Sequence, residues 1–457
     1  MPKRKRNRKS NHLLEQTINP DSAGIDIGAE EIVVAIPLDR EDAKPVRTFE
    51  SFTVGLEAIR DWLHSHKVTT VAMESTGVYW IPLYDLLEQS GIEVCLVNAR
   101  HVKGVPGKKT DVCDAQRLQK LHSAGLLKAS FRPRSEILTV RQLMRYRATC
   151  IQSSARQLQH MQKALDELNL QIHRVFSDLD GASAMRILEA ILDGQRDVDT
   201  LWNMRDRRVK ATKEQFCKAM QGNYQPAQLF ILKRCHAKWQ SEQEAILACE
   251  TEIEKYMKQA APEDRKNASP LEETKKHKRK LKNSVSFDIY QMGYQYFGVD
   301  LSTIDGVSAG CISILMSEIG NKEDFLKSFK SAKHFSSWLG LCPDVRISGG
   351  KVLQTKTRRV VNKVTEALRM SAYALENSKS ELGQYARRMK GRLGKVEGIT
   401  AAAHKIARLI YAMISSGQSY DEKKAFKPNS YSRDKKMKLL QSLANSLDIE
   451  LPTKSLK

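Results

Sequence analysis

The feature that most limits how this chain can fold is a change of hydrophobic rhythm along it. From Ala23 to about Pro133 the apolar residues come in short β-rich runs separated by helical stretches. Gly24-Ile25-Asp26-Ile27-Gly28 opens a strand, Ile32-Val33-Val34-Ala35-Ile36 reads as its hairpin partner, and Val46 to Phe52 as a third strand. A helix follows from about Val54 to His66, then a β-rich run from Thr69 to Glu74, a helical stretch from Ile81 to Gln89, a strand from Glu93 to Val97 and a helix starting near Thr110. Three leading strands followed by alternating helix and strand predict an α/β domain over residues 21–133.

Between about Ser135 and Ala260 the rhythm becomes helical. Glycine and proline are scarce, and apolar residues recur every three or four positions, as in Leu138, Leu143, Met144, Ile151, Leu158, Met161, Leu165 and Leu168. Residues 134–260 are expected to form long helices of the kind that pair as a coiled-coil hairpin, assemble between subunits or clamp a nucleic acid. Pro262, Pro270 and the cluster Lys275, Lys276, Lys278, Arg279, Lys280, Lys282 mark 261–284 as a mobile basic linker. Residues 285–416 are expected to be mainly helical. Leu301-Ser302-Thr303-Ile304-Asp305-Gly306-Val307 leads into a helix that ends before Gly320, a pattern resembling a helix-hairpin-helix, whose loop amides, here around Gly306, bind backbone phosphate. Two further helices are expected at Ala332 to Leu339 and Arg358 to Leu375, with a hairpin or loop over Arg346 to Thr357, and a last one from Thr400 to Ser415. The basic start, 1–20, and the lysine-rich end, 417–457, read as disordered tails.

Composition narrows the partners. The chain has 457 residues, enough for two or three folding units, and carries 75 lysines and arginines against 53 acidic residues, a formal net charge of +22. That excess favours a polyanion, with nucleic acid ahead of membrane. No apolar run reaches the roughly 18 residues of a membrane span, and the basic start lacks the apolar stretch of a secretory signal, so a cytoplasmic, nucleoid-associated protein is expected. The eight cysteines lie far apart, without the paired spacing of zinc knuckles, and are expected to be reduced, mostly buried thiols.

The chemistry is carried by acids. Asp26 sits mid-strand between two glycines, where no bulky neighbour obstructs an approaching phosphate; the same string also opens actin-like ATPases, and a solvated strand end would explain it as well. Glu74 ends its own β-rich run, so a strand placed beside the first would bring its carboxylate to Asp26. Asp111 and Asp114 stand three apart at a helix start, on one face; alone, they would be read as helix caps. Four converging carboxylates repel one another unless a cation is present, and oxygen-only ligands select magnesium or manganese, expected as a pair that activates a nucleophile and stabilises the leaving oxygen of a phosphodiester. Arg100, Lys103, Lys108 and Lys109 flank the acids as candidate contacts to a nucleic-acid backbone, or as a solvated basic loop.

In the second half, Arg346-Ile347-Ser348-Gly349-Gly350-Lys351 places a serine before two glycines, either an ordinary turn or a hydroxyl that a phosphate can reach closely. Lys351, Lys356, Arg358 and Arg359 supply cations able to neutralise a pentacovalent phosphoryl transition state.

Gly24-Ile25-Asp26-Ile27-Gly28, Met73-Glu74-Ser75-Thr76-Gly77 continuing into Val78-Tyr79-Trp80, Lys109-Thr110-Asp111-Val112-Cys113-Asp114-Ala115, Ile304-Asp305-Gly306 and Ser348-Gly349-Gly350 together resemble the insertion-sequence one-ten family of DEDD transposases. The resemblance spans about 23–133 and 299–416. It implies an RNase-H-like (RuvC-like) N-terminal domain in which Asp26, Glu74, Asp111 and Asp114 form the metal site, and a serine, matched by Ser348, that attacks DNA and becomes joined to it. It further implies donor and target DNA as substrates, a structured noncoding guide RNA that pairs with both, and a tetramer in which the serine of one subunit completes the acidic site of another. The insert over 135–260 is longer than in the shorter members and resembles that of the larger subgroup. The leading expectation is therefore a transposase using a serine nucleophile. Two readings stand beside it: a structure-specific nuclease that uses water with the same acids, and a nonenzymatic nucleic-acid-binding scaffold. An actin-like ATPase fits less well, because its second phosphate loop is not evident, although Asp344 to Gly350 is a faint decoy.

Overall fold

The structure is a computed structural model that describes residues 17–40, 44–75, 77–98, 111–278, 282–426, 437, 440–447 and 449. The chain divides after Arg132 into two units.

The first unit is built on a five-stranded mixed sheet. Strands β1 (Ser22–Ile27), β2 (Glu31–Ala35) and β3 (Val46–Glu50) form an antiparallel meander. Helix α1 (Thr53–Ser65) returns the chain to β4 (Thr70–Glu74), parallel to β1, and α2 (Trp80–Gln89) leads to β5 (Glu93–Val97), parallel to β4. The order β3-β2-β1-β4-β5 is consistent with an RNase-H-like sheet. β1 lies at the centre and is covered on both faces, which is why it reads as nearly continuous apolar sequence; β3, at the edge, reads Val-Arg-Thr-Phe-Glu and is largely exposed.

Alternation along the strands sorts the side chains. Ala23, Ile25, Ile27, Val71 and Met73 face one side and pack with Ile59, Trp62, Leu63, Leu83 and Leu87 of α1 and α2. On the other side, Ala72 and Val97 cluster with Leu118, and Val33 and Ala35 with Ala115, both from helix α3 (Asp111–Ser123). This side is lined by small residues, so the helix backbone comes very close to the sheet. A Cβ placed on Gly24 would lie 2.2 Å from the Ala115 carbonyl oxygen and 2.3 Å from the Gln119 nitrogen. Only glycine fits there.

The second unit opens with a long helical hairpin. α4 (Ser135–Glu167) and α8 (Pro226–Ala260) run antiparallel, as their side-chain pairs show: Arg147 with Glu250, Ser153 with Glu242 and Ser154 with Gln243. Between them the chain folds as a small helical cap. α5 (Ala182–Leu192), α6 (Val198–Asn203) and α7 (Lys213–Ala219) bury Ile187, Leu188, Leu201 and Phe216 against Met161, Leu165 and Leu232 at the distal end of the hairpin. Entry to and exit from the cap adjoin, because Asn223 N–H donates to the Leu168 carbonyl at 2.9 Å.

Further along, the described residues form the helices α9 (Ile289–Phe297), α10 (Ala309–Ile319), α11 (Lys322–Ser328), α12 (Ala332–Trp338), α13 (Lys363–Ala374), α14 (Glu381–Leu393) and α15 (Lys395–Ser416), besides short helical turns. α10 is buried nearly all round, packed by α4, α9 and α13. Its one acidic residue, Glu318, is buried and held by Arg141 and Arg145 of α4. Phe325, Phe329, Phe335, Trp338 and Tyr411 form an aromatic cluster among α11, α12 and α15. A two-stranded ribbon, β6 (Arg346–Ser348) and β7 (Lys351–Gln354), joins α12 to α13.

Three regions differ from the sequence expectation. The helix expected from Arg358 begins at Lys363, because the Asn362 side chain accepts from the Val364 and Thr365 amides and sets the helix start there. Helices α9, α11 and α14 are short amphipathic segments that the sequence reading left unassigned. The stretch expected as a mobile linker contains packed residues: Lys275–Lys278 form a helical turn, and Asn283 accepts from Arg147 through its carbonyl. The basic start, apart from residues 17–20, and most of the chain beyond 426 lie outside the described residues. All eight cysteines are free thiols; Cys150, Cys249 and Cys311 are buried, and burial pushes the Cys311 thiol up to about 11. Among the described residues no helix is long and apolar enough to cross a membrane.

Candidate active site

Two carboxylates are placed by sheet register. The parallel pairing of β1 with β4 runs Gly24 to Ala72 and Ile25 to Met73, and the next step along both strands reaches Asp26 and Glu74. Asp26 shares the face of Gly24, two residues back, and Glu74 that of Ala72, so both stand on the side covered by α3. Both are half-buried at the carboxyl ends of their strands.

Helix direction supplies the third. Gln119 approaches Ser22 and Gly24, and Ala115 approaches Gly24, so α3 runs opposite to β1 and its first turn lies over the far end of that strand. Asp114, half-buried, occupies this turn, next to Ala115, which packs on Val33, the antiparallel partner of Asp26. Asp111 opens the helix one turn earlier; its side chain lies outside the described part of the structure, as do Arg100, Lys103, Lys108 and Lys109 entirely. Among the described residues no three His, Cys, Asp or Glu side chains gather closely enough to hold a metal ion. The donors that are described are oxygen atoms only, which suits a hard divalent cation.

Beyond Glu74, Ser75 and Gly77 each make a hydrogen bond that anchors them. The Ser75 amide and hydroxyl both donate to the Val97 carbonyl, at 3.0 and 3.2 Å. Gly77 turns with φ +56°, and the Trp80 indole N–H donates to its carbonyl at 3.2 Å. Arg132 lies over the Trp80 and Tyr84 rings, at 5.2 and 3.8 Å, and pairs with Asp85 at 2.5 Å. The sequence reading did not single out Arg132: its partners are more than forty residues upstream, and nothing local marks it.

The serine lies in the second unit. Ser348 is exposed at the end of β6, directly opposite Lys351, and Gly349 and Gly350 form the two-residue turn with φ of +55° and +76°. Positive φ at both central positions is the hairpin turn that suits the twist of two strands, so the glycines are required by the turn itself. Lys356 and Arg359 are exposed nearby in sequence, and Arg358 donates to the Ser337 carbonyl at 2.6 Å.

Gly306 turns with φ +85°, and a Cβ there would meet the Ser371 carbonyl oxygen at 2.6 Å. The loop it belongs to joins α9 to α10 and is held from beneath: Lys276 Nζ donates to the Ser302 and Ile304 carbonyls, and His277 stacks on Tyr290 and bonds the Ser302 hydroxyl. Burial keeps the Lys276 ammonium below the ordinary lysine value. Asp305 accepts from the Gly306 amide and from the Ser378 and Ser380 hydroxyls.

A family model for DEDD transposases of the IS110 type matches residues 23–170, and one described as the transposase IS116/IS110/IS902 family matches residues 300–387. The first takes in Asp26, Glu74, Asp111 and Asp114; the second takes in Gly306 and Ser348. The chain belongs to the IS110 family of DEDD transposases. It is a DNA transposase, an enzyme of DNA recombination, and its substrates are DNA. No curated protein matches the transposase over its sequence.

Proposed function

We propose that this transposase cuts and exchanges DNA strands through Ser348, with Asp26, Glu74, Asp111 and Asp114 forming the acidic site. The observation that carries the reading is the register of β1 on β4, which sets Asp26 beside Glu74 on the face crossed by the first turn of α3. Carboxylates drawn together at one sheet margin would favour a bound cation over mutual repulsion. These four would hold magnesium or manganese, which when bound would withdraw charge from the phosphoryl oxygens.

The serine hydroxyl attacks phosphorus as its proton passes to water; a phosphorus–oxygen bond forms, and the bond to the leaving deoxyribose oxygen breaks, that oxygen taking up a proton. The phosphoserine ester conserves the bond until the hydroxyl of a second strand reverses the step. Lys351, opposite Ser348, and Lys356, Arg358 and Arg359 attract the backbone. The loop at Gly306 acts as a helix-hairpin-helix that contacts backbone phosphate without reading bases. A structured noncoding RNA supplies sequence choice by base pairing, and the helical hairpin of α4 and α8 takes part in assembly into a homo-oligomer.

Ser348→Ala is expected to abolish a covalent protein–DNA adduct while DNA binding persists. An undiminished adduct removes the serine from the reaction, and free, never-rejoined ends in the parent protein would favour hydrolysis by water. Asp26→Asn tests the acids in the same assay, and sequencing of RNA copurified with the protein tests guidance.

A further inference from the structure

The turn that follows Glu74 presents two apolar side chains to solvent. Val78 is 66% exposed and Tyr79 52% exposed, while Trp80, the next residue, is tucked against the fold. The described residues around it are anchored. Ser75 is tied to β5, the Gly77 carbonyl is held by the Trp80 indole, and Trp80 is held by Tyr84 and Arg132. The Tyr79 ring itself lies over Gly77, where an added Cβ would stand 3.5 Å from two of its carbons. Its ring is therefore exposed between described anchors, five residues past a carboxylate at the end of β4.

We propose that Tyr79 is a stacking platform for a nucleobase next to the phosphodiester held at Asp26 and Glu74; this rests on the acidic site proposed above. Size selects the occupant. About half of the 150–250 Å² that an aromatic side chain offers is open here, far below the roughly 1,200 Å² at which stable subunit interfaces begin, but comparable to one face of a base. The substrate is DNA, and every base has a π face, so a single braced aromatic ring gives a contact indifferent to sequence. A ring this few residues beyond Glu74 would hold a locally unpaired strand in line without specifying which bases flank the cut.

The probe is a single-stranded oligothymidylate carrying 5-iodouracil, irradiated with the full-length protein, with cross-links mapped by mass spectrometry. A cross-link at Tyr79 is expected. Tyr79→Ala should weaken oligothymidylate binding by about 5- to 150-fold; Tyr79→Phe should retain it, and Tyr79→Leu, apolar without a π face, should not. Cross-links that fall elsewhere with none in residues 77–80, or a Tyr79→Ala variant of unchanged affinity, overturn the proposal. Glu74→Gln separates the two ideas. If it abolishes strand cleavage while the Tyr79 cross-link is kept, both stand; if cleavage survives in Glu74→Gln, the acidic site fails whatever Tyr79 does; if Glu74→Gln is inactive and Tyr79→Ala binds normally, the platform alone fails.

Discussion

Gly24→Ala tests how the acidic site is assembled, because it adds one methyl group where α3 meets β1. The added carbon would stand 2.2 Å from the Ala115 carbonyl oxygen and 2.3 Å from the Gln119 nitrogen, whereas ordinary contact begins near 3.4 Å. Both obstructing atoms are backbone, so no rotamer change relieves the clash and the helix must withdraw by about 1 Å. Overpacking of this kind costs about 1–3 kcal/mol, which lowers the melting temperature by roughly 4–15 °C for a unit of this size. The same withdrawal carries the first turn of α3, with Asp111 and Asp114, away from Asp26. A displacement of about 1 Å at reacting groups costs on the order of 100-fold in rate. The expected variant is folded and less stable, with strand cleavage of labelled DNA reduced by about that factor. Parental melting together with parental cleavage would show that α3 does not seat on β1 as described.

Two other outcomes follow from buried groups. His122 is packed under the sheet with Nε2 2.9 Å from Thr70 Oγ1, and burial, the larger cause, holds its pKa below the ordinary 6.5 against the opposing pull of Glu93. The folded state therefore binds fewer protons than the unfolded chain just below pH 6.5, so this contribution to stability is complete above that value and lost as pH falls through the window; thermal melts of His122→Gln should show a shallower acid slope than the parent, and an unchanged slope would refute the assignment. Glu250→Gln leaves the buried Arg147 guanidinium without its counter-charge and is expected to cost about 3–5 kcal/mol in urea unfolding, with the double change Arg147→Met, Glu250→Leu costing less; a single-variant loss below about 1 kcal/mol would mean the pair does not hold α4 to α8.

The sheet was legible because its central strands read as short, nearly continuous apolar runs and the connections between them are short. Asp26 and Glu74 could be named from sequence, but their common face depends on register, which emerges only from pairing Gly24 with Ala72. Helical periodicity revealed α4 and α8 but not the cap between them, since α5, α6 and α7 are short and their apolar residues answer to one another across loops. Lys276 and Arg132 show the limit of charge counting. Each reads as one more surface cation, yet one props a loop through two carbonyls and the other stacks on two rings. Gly349 and Gly350 show the reverse case, where a motif suggestive of phosphate approach is already demanded by backbone twist.

The α4 and α8 hairpin also works as a mast of adjustable height. Both helices run through it in opposite directions, so deleting seven residues from each at matched positions lowers the cap by about 10 Å while turning it by only about 20°. Lengthening follows the same arithmetic. The cap can thus be raised or lowered in heptad increments without redesigning either end, a freedom open to natural variation and to engineering alike.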